Sequence, residues 1–413
     1  MDTHTTYVGR ELESVPRFLA KAYKVYRREQ PVEIVDLVSA LGMYVAEDVL
    51  AVRDTPPADK PVLDGYAVRY ADIVGASPQA PVRLRYCKGV KRIEPGCAVE
   101  VELKDVLPEG ADTVVPFEYT RREGDQVLIF ESVKPGYGVA KRGEDVKAGE
   151  VLVRKGTRLS PLHIGLLASQ GYGKVKVYKP LSIALYCAGD ELIEPGQQYV
   201  EGKVYNSTCP LLASYLSFLG FNVRYCGLLP DDRDAIEKVV WDKLRDYDVV
   251  IVCGGTGPSK SDVTVKALEK IVDEIGGIWS YGFSLRPGHA AAIGVTETKI
   301  VAGLSGFPVA AWVQVYILIL PLLLKAYRAS WPPHPVVKGV LQRRIVSRVG
   351  LLDVHRVKVK FDNGRVLVEP SIVRGSGRVS TLVKSNGIVV VDEEVEELEE
   401  GDNVDVHLTH YMV

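Results

Sequence analysis

The rhythm of apolar and polar positions changes twice along the chain. Between about Val52 and Tyr178, short valine-alternating segments such as "DQVLIFESV" and "EVLVRKGTRL" stand between glycine- and proline-rich turns, which predicts a β-rich region. Two similar phrases, "RIEPGCAVE" and "VKAGEVLV", place a glycine turn before a short apolar segment, as strand-turn-strand units do, and no longer-period repeat accompanies them. From Pro180 strands and helices alternate. "SIALYCAGDE" reads as a buried strand ending in polar residues, and "NSTCPLLASYLSFLG" as a helix capped by Asn206 or Ser207 and closed at Gly220. "FNVRYCGLLPDD" is a second strand, "RDAIEKVVWDKLRDY" sets Ile236, Val239, Val240 and Leu244 on one helical face, and "DVVIVCGG" is a third strand. Unbroken apolar strands alternating with helices predict a parallel sheet covered on both faces.

After Pro332 and Pro333 the chain turns β-rich again. "HRVKVKFDNGRVLVEP" predicts a hairpin about Asp362, Asn363 and Gly364, and "DEEVEELEEGDNVDVHL" predicts a solvated acidic run leading into a strand. The first thirty residues are polar and predict an amphipathic helix, so a signal peptide is not expected and a cytoplasmic location is. The apolar run "VAAWVQVYILILPLLL", from Val309 to Leu324, falls short of the roughly 20 residues a bilayer needs and contains Gln314 and Pro321. It predicts a buried helix, with no membrane partner.

At 413 residues the chain is too long for one core, and two to four domains are expected. With 25% charged residues and a net charge of −2, no global field recruits nucleic acid or an anionic membrane. The six cysteines show no C-x-x-C pair and no histidine at zinc-finger spacing, so a structural zinc site is not expected. Few asparagines and only three methionines resemble a thermophile's composition, in which intracellular disulfides occur.

The candidate chemistry gathers at predicted strand ends. In open α/β sheets ligands collect there, and glycines let backbone N–H groups approach an anion. Gly254, Gly255 and Gly257 in "VCGGTGPSKSDVT" fit that position, although the spacing is neither that of a Walker loop nor G-x-G-x-x-G. Asp190 and Glu191 end one strand and Asp231 and Asp232 another, so a parallel sheet would bring them to one edge with Asp262. Clustered carboxylates beside a phosphate cradle suit a hard cation such as Mg²⁺, while each acid alone would serve equally as a helix cap. Arg286 in "SLRPGHAAAIG" offers a fork to phosphate or carboxylate, Gly288 and His289 follow in the same turn, and Ser305 and Gly306 in "GLSGFPVAAW" add backbone donors.

The ordered phrases "PPADKPVLDGYAVRYAD", "LPEGADTVVPFE", "VKPGYGVAKRGEDVKAGEVLVRKGTRLSPLHIGLLASQG", "YCAGDEL", "GGTGPSKSD" and "GLSGFPVAA" together resemble the molybdopterin molybdenumtransferase family of the MoeA type, to which the E domain of gephyrin belongs. The resemblance runs from about Val45 to Tyr327, with an echo in "RVSTLVKSNGIVVV". It implies an α/β multidomain fold: a discontinuous N-terminal and linker domain (1–52 with 140–180), a β-rich domain (53–139), a three-layer α/β domain like the MoaB and Mog proteins (181–329), and a small C-terminal β-barrel (330–413). It also implies an elongated homodimer, adenylylated molybdopterin and molybdate or tungstate as substrates, assistance by Mg²⁺, and a molybdopterin adenylyltransferase as a partner. On the same basis Glu191 and Asp262, with Asp190 nearby, would hold the metal, and Asp231 would join that shell or orient water. Gly254, Gly255, Thr256 and Gly257, with Ser259 and Lys260, would cradle phosphate. Asp64 and Asp145 match acids that complete the site, Asp64 from the partner subunit, and Arg356 and Ser385 are further members. Asp before glycine or at a hairpin also stabilises turns without any such role.

Three turns depart from the family's pattern. It writes "GGVSVG", "PGKP" and "LPGNP" where this chain has "GGTGPSKSD", "RPGHA" and "LSGFP", so His289 stands in place of a lysine. The first loop is closer to the adenylylating proteins of the MogA and MoaB type. Two other readings therefore stand beside molybdate insertion: adenylylation of molybdopterin by ATP, and a carrier or scaffold without turnover.

Overall fold

Strand alternation sorts this chain's core residues onto opposite sheet faces, and that sorting builds the layer that carries the site. The computed structural model describes residues 6–7, 10–257, 263–371 and 375–409. They fall into two compact units, one of residues 48–154 with 161–173 and the other of the remainder.

The smaller unit is β-rich, as its turn-punctuated sequence predicts. Six strands run in the order Thr120–Glu123, Gln126–Ile129, Val82–Tyr86, Cys97–Val101, Gly65–Val68 and Thr113–Pro116. Tyr66, Val68, Leu84, Val115, Val127 and Ile129 form one core, and Ala67, Val99, Val101 and Val114 another, so neighbours in sequence again face opposite ways. Cys87 and Cys97 are joined by a disulfide here.

In the larger unit, β1 (Ser182–Ala188), α1 (Thr208–Phe218), β2 (Asn222–Leu229), α2 (Arg233–Asp246), β3 (Val249–Cys253), α3 (Thr264–Ile275), β4 (Ile278–Tyr281), β5 (Ala292–Val295), β6 (Ile300–Leu304) and α4 (Pro308–Ala326) build a three-layer domain. The sheet order is β2-β1-β3-β6-β5-β4. The first four strands are parallel as expected, whereas β5 runs antiparallel to both β6 and β4, so the sheet is mixed at one edge. Ile183, Leu185, Cys187, Val249, Ile251 and Cys253 face α1 and α4. Ala184, Tyr186, Ala188, Val250 and Val252 face α2 and α3. The central strands β3 and β6 are buried and apolar throughout because both of their faces are covered, whereas the edge strands β2 and β4 keep polar, partly exposed positions.

Helix α2 starts at Asp232, whose side chain accepts the Ala235 N–H at 2.7 Å, and buries Ile236, Val240 and Leu244. Val239 is only partly buried. The apolar run lies within α4, whose most apolar 18-residue window is 94% buried, so its hydropathy is that of a core helix. A π-helical stretch, Val315–Ile319, precedes Pro321 in it. Such a stretch absorbs the local loss of regular hydrogen bonding near a proline.

Two expectations need correction. The N-terminal helix is shorter than the polar opening suggested, running only from Val15 to Val25 after two short paired strands. The acidic run is not wholly solvated: the Glu393 carboxylate accepts the Ser14 hydroxyl at 2.8 Å and the Val15 N–H at 3.0 Å. A carboxylate at a helix start satisfies an orphan N–H and complements the helix dipole, a pairing 378 residues apart that no local pattern signals.

The C-terminal part closes as a five-stranded barrel: β7 (Val336–Leu341), β8 (Leu352–Asp362), β9 (Arg365–Pro370), β10 (Gly387–Val391) and β11 (Asn403–Leu408), with β8 pairing both β9 and β10. The expected hairpin joins β8 to β9, with Asn363 at φ 46° and Gly364 at φ 74° supplying the left-handed residues of its turn. A two-residue strand, Leu285–Arg286, pairs with β8 and continues the barrel sheet toward the α/β domain.

Aromatic and histidine side chains fill the join between barrel and α/β domain. The Tyr215 hydroxyl lies 3.0 Å from His334 Nε2, and that of Tyr316 lies 2.9 Å from His407 Nδ1. Burial, reinforced by Arg158 and His407, pushes His334 down to about 4. Between that value and the ordinary 6.5 the unfolded chain binds a proton that the folded chain refuses. This contribution is therefore complete above about pH 6.5 and is lost as the pH falls toward 4; it amounts to at most about 3 kcal/mol, less for solvent screening of a half-buried ring. His334→Gln should flatten the acid decline of the thermal midpoint between pH 7 and pH 4.5, and parallel declines in variant and parent would exclude His334 as its source.

Candidate functional site

The carboxyl ends of β1, β3 and β6, two turns of the α/β domain and the near edge of the barrel enclose one cavity of about 1140 Å³. Its position follows from topology: strands that run parallel must deliver their ends, and the loops after them, to one edge.

The cradle forms where β3 ends. Gly254 has φ 107°, and a β-carbon on it would sit 2.1 Å from the Ala188 carbonyl oxygen, so only glycine lets the loop pass the end of β1. Gly255, Thr256 and Gly257 follow on the cavity wall, and the Tyr281 hydroxyl donates to the Thr256 carbonyl at 3.1 Å. Ser259, Lys260 and Asp262, assigned from sequence to the same loop, lie outside the described residues.

The acids separate by role. Glu191 and Asp231 line the cavity, while Asp190 does not. Asp190 and Asp231 are tied instead by reciprocal contacts, the Asp190 N–H to Asp231 Oδ2 at 3.3 Å and the Asp231 N–H to Asp190 Oδ1 at 3.4 Å. Asp232, one residue on, is spent as the cap of α2. Asp64 and Asp145 belong to the other unit; Asp64 Oδ1 accepts the Leu103 N–H at 2.9 Å, a turn contact, and Asp145 is exposed.

Another stretch of the wall carries basic side chains. Arg286, His289, His355 and Arg356 line it together with Asp353. The fork expected of Arg286 is already engaged: its Nε donates to Asp353 Oδ2 at 3.0 Å, a second guanidinium N–H reaches the same oxygen, and His355 Nε2 lies 2.8 Å away. Burial works against the Asp353 carboxylate, but these hydrogen bonds from His355 and Arg286 outweigh it and hold its pKa below the ordinary range. Burial lowers the pKa of His289, so this histidine is neutral at pH 7 and does not restore a fixed charge. Ser385 is buried but is not part of the wall.

Sequence reasoning overlooked Gln314, which counted only as a polar residue unsuited to a membrane. Fully buried in α4, it accepts the Ser305 N–H at 2.8 Å and donates to the Gly288 carbonyl at 2.8 Å, fixing both turns that carry Gly288, His289, Ser305 and Gly306. A lone amide in an apolar helix is the signal that could have found it, since a buried amide must be hydrogen-bonded. Asp353 escaped notice because a strand interior gives no hint of a buried acid. The cysteines are not scattered in space either: Cys187 and Cys209 form a disulfide, and Cys253 lies beside them.

The chain matches three family models: the MoeA N-terminal region (domains I and II) over residues 11–171, a domain described as "Probable molybdopterin binding domain" over 184–325, and the MoeA C-terminal region (domain IV) over 338–409. A Methanocaldococcus jannaschii protein named for molybdopterin biosynthesis is 35% identical, over 96% of this chain and 97% of that protein. A Haemophilus influenzae molybdopterin molybdenumtransferase is 29% identical over 92% of this chain and 95% of that one. The crystal structure of a MoeA protein from Pyrococcus horikoshii covers 96% of this chain and 100% of that one, with 28% identity and a TM-score of 0.78. Whole-chain similarity, three consecutive domain matches and a cavity built at the expected sheet edge agree, and the chain belongs to the MoeA family of molybdopterin biosynthesis proteins.

Proposed function

We propose that the chain is a molybdopterin molybdenumtransferase that takes adenylylated molybdopterin and molybdate, places the metal on the dithiolene and releases AMP. One observation carries the reading: a glycine cradle, two carboxylates and a wall bearing Arg286 and Arg356 face the same cavity. Molybdate is a dianion approaching a substrate that already bears phosphate charge, so backbone N–H groups and cations must offset their repulsion.

Glu191 and Asp231 offer oxygen donors only, and Mg²⁺ ordinarily takes one or two carboxylates besides water and substrate phosphate. The pair therefore fits this ion, with Asp262 as a further ligand from the loop; the ion's contribution is Lewis-acid polarisation of the phosphoanhydride. Gly254 to Gly257 hold the phosphate end. Arg356 sets fixed charge on the wall, and Asp353 holds Arg286 at a set position there. A homodimer in which Asp64 and Asp145 complete the site, a cytoplasmic setting and supply of substrate by an adenylyltransferase belong to the same reading.

Purified protein given adenylylated molybdopterin, Mg²⁺ and molybdate should release AMP. ATP consumption with free molybdopterin, and no release from the adenylylated form, would replace this reading by adenylylation. Binding without either reaction would leave a carrier.

A further inference from the structure

The floor of the cavity carries sulfur. Cys187 ends β1 and Cys253 ends β3; they are register partners in adjacent parallel strands and share the sheet face covered by α1. Cys209 is the second residue of that helix. All three are buried, their sulfur atoms lie within 4.8 Å of one another, and Cys187 and Cys253 line the cavity. Among the described residues this is the one group of three such ligands; the carboxylates do not converge in that way.

We propose that Cys187, Cys209 and Cys253 form a reduction-gated site for one thiophilic dication of the zinc class. With the Cys187–Cys209 disulfide intact the site is closed, because only Cys253 keeps a thiol. A dithiol reductant opens it: the disulfide accepts two electrons and two protons, and the reductant becomes a disulfide. Binding of the cation then displaces the three thiol protons.

The geometry suits such an ion. Zinc–sulfur bonds of about 2.3 Å set three thiolates about 3.8 Å apart, within the spacing seen here after small rotations. Three thiolates and a dication leave one net negative charge. That charge is eased by the positive end of the dipole of the 11-residue α1, in whose first turn Cys209 lies. Asn206 is fixed beside the trio, its Nδ2 donating to the Tyr225 hydroxyl at 2.8 Å and its Oδ1 accepting the Cys209 N–H at 3.2 Å. Because two of the three cysteines border the cavity, a fourth coordination position opens toward it. The cavity would thus sort cations by hardness, oxygen donors at its mouth and sulfur at its floor.

The test uses the full chain, reduced without oxygen by a phosphine, which passes two electrons to the disulfide and takes its oxygen from water. After removal of the phosphine, Co²⁺ serves as the optical probe. One equivalent per chain should bind with intense thiolate-to-cobalt charge transfer, displaced by Zn²⁺. The band should fall at least tenfold in Cys253→Ser and in unreduced protein, and persist in Cys87→Ser. No band in reduced parent protein, an undiminished band in Cys253→Ser, or its loss in Cys87→Ser would overturn the proposal. Alkylation of the parent protein read by mass spectrometry needs no variant: Co²⁺ should slow modification of Cys187, Cys209 and Cys253 at least tenfold but leave Cys87 and Cys97 unaffected, and equal labelling with and without Co²⁺ would also overturn it.

Discussion

Replacing Gly254 by alanine should lower the thermal midpoint of the larger unit by about 6–12 °C, the equivalent of about 3 kcal/mol. Two costs add. The backbone at φ 107° is strained for any residue with a β-carbon, and that carbon would sit 2.1 Å from the Ala188 carbonyl oxygen. Backbone of a central strand cannot swing aside as a flexible side chain would, so β1 and β3 must part at the cavity and the cradle must distort. Gly306→Ala provides the comparison: its β-carbon would meet the Gly254 Cα at 3.5 Å, an ordinary contact. Calorimetry should show the second variant within about 2 °C of the parent protein. Equal midpoints for the two variants would mean that close approach at Gly254 does not constrain the loop.

Glu191→Gln should reduce AMP release by about 100-fold or more while leaving the fold intact. The side chain is exposed at the cavity, and the residue's hydrogen bond to β-structure runs from the Val204 N–H to its backbone carbonyl, which the substitution spares. Glutamine keeps the shape and removes the charge, so lost activity at an unchanged midpoint would locate the effect in cation binding. The variant should also need more Mg²⁺ to reach half its maximal rate. Release within a few-fold of the parent, with the same Mg²⁺ dependence, would remove Glu191 from the cation shell.

The two substitutions probe features of different legibility. Gly254 stood out in the sequence because glycines after an apolar strand mark a loop, and its place at the cavity followed from strand direction. Glu191 and Asp231 were visible as acids at strand ends, but so were Asp190 and Asp232. A parallel strand delivers several polar residues to the edge, and the turn conformation decides which faces inward: Asp231 lines the cavity, and its neighbour Asp232 caps α2. The turn carrying Arg286 was legible as a turn, while the engagement of its guanidinium by Asp353, 67 residues away, was not.

By itself, the sequence determined the strand and helix alternation from Ser182 to Cys253, the opposed apolar faces of β1 and β3, the hairpin at Asn363 and Gly364, and the glycine loop after β3. These depend on near neighbours, through side-chain periodicity and backbone sterics. Tertiary structure alone decided the antiparallel edge at β5, the capping of the first helix by Glu393, the bracing of two turns by Gln314, and the meeting of Cys187, Cys209 and Cys253. Each joins residues distant in the chain, and whether a buried polar or sulfur atom finds a partner depends on which surfaces packing brings together, which no local pattern records.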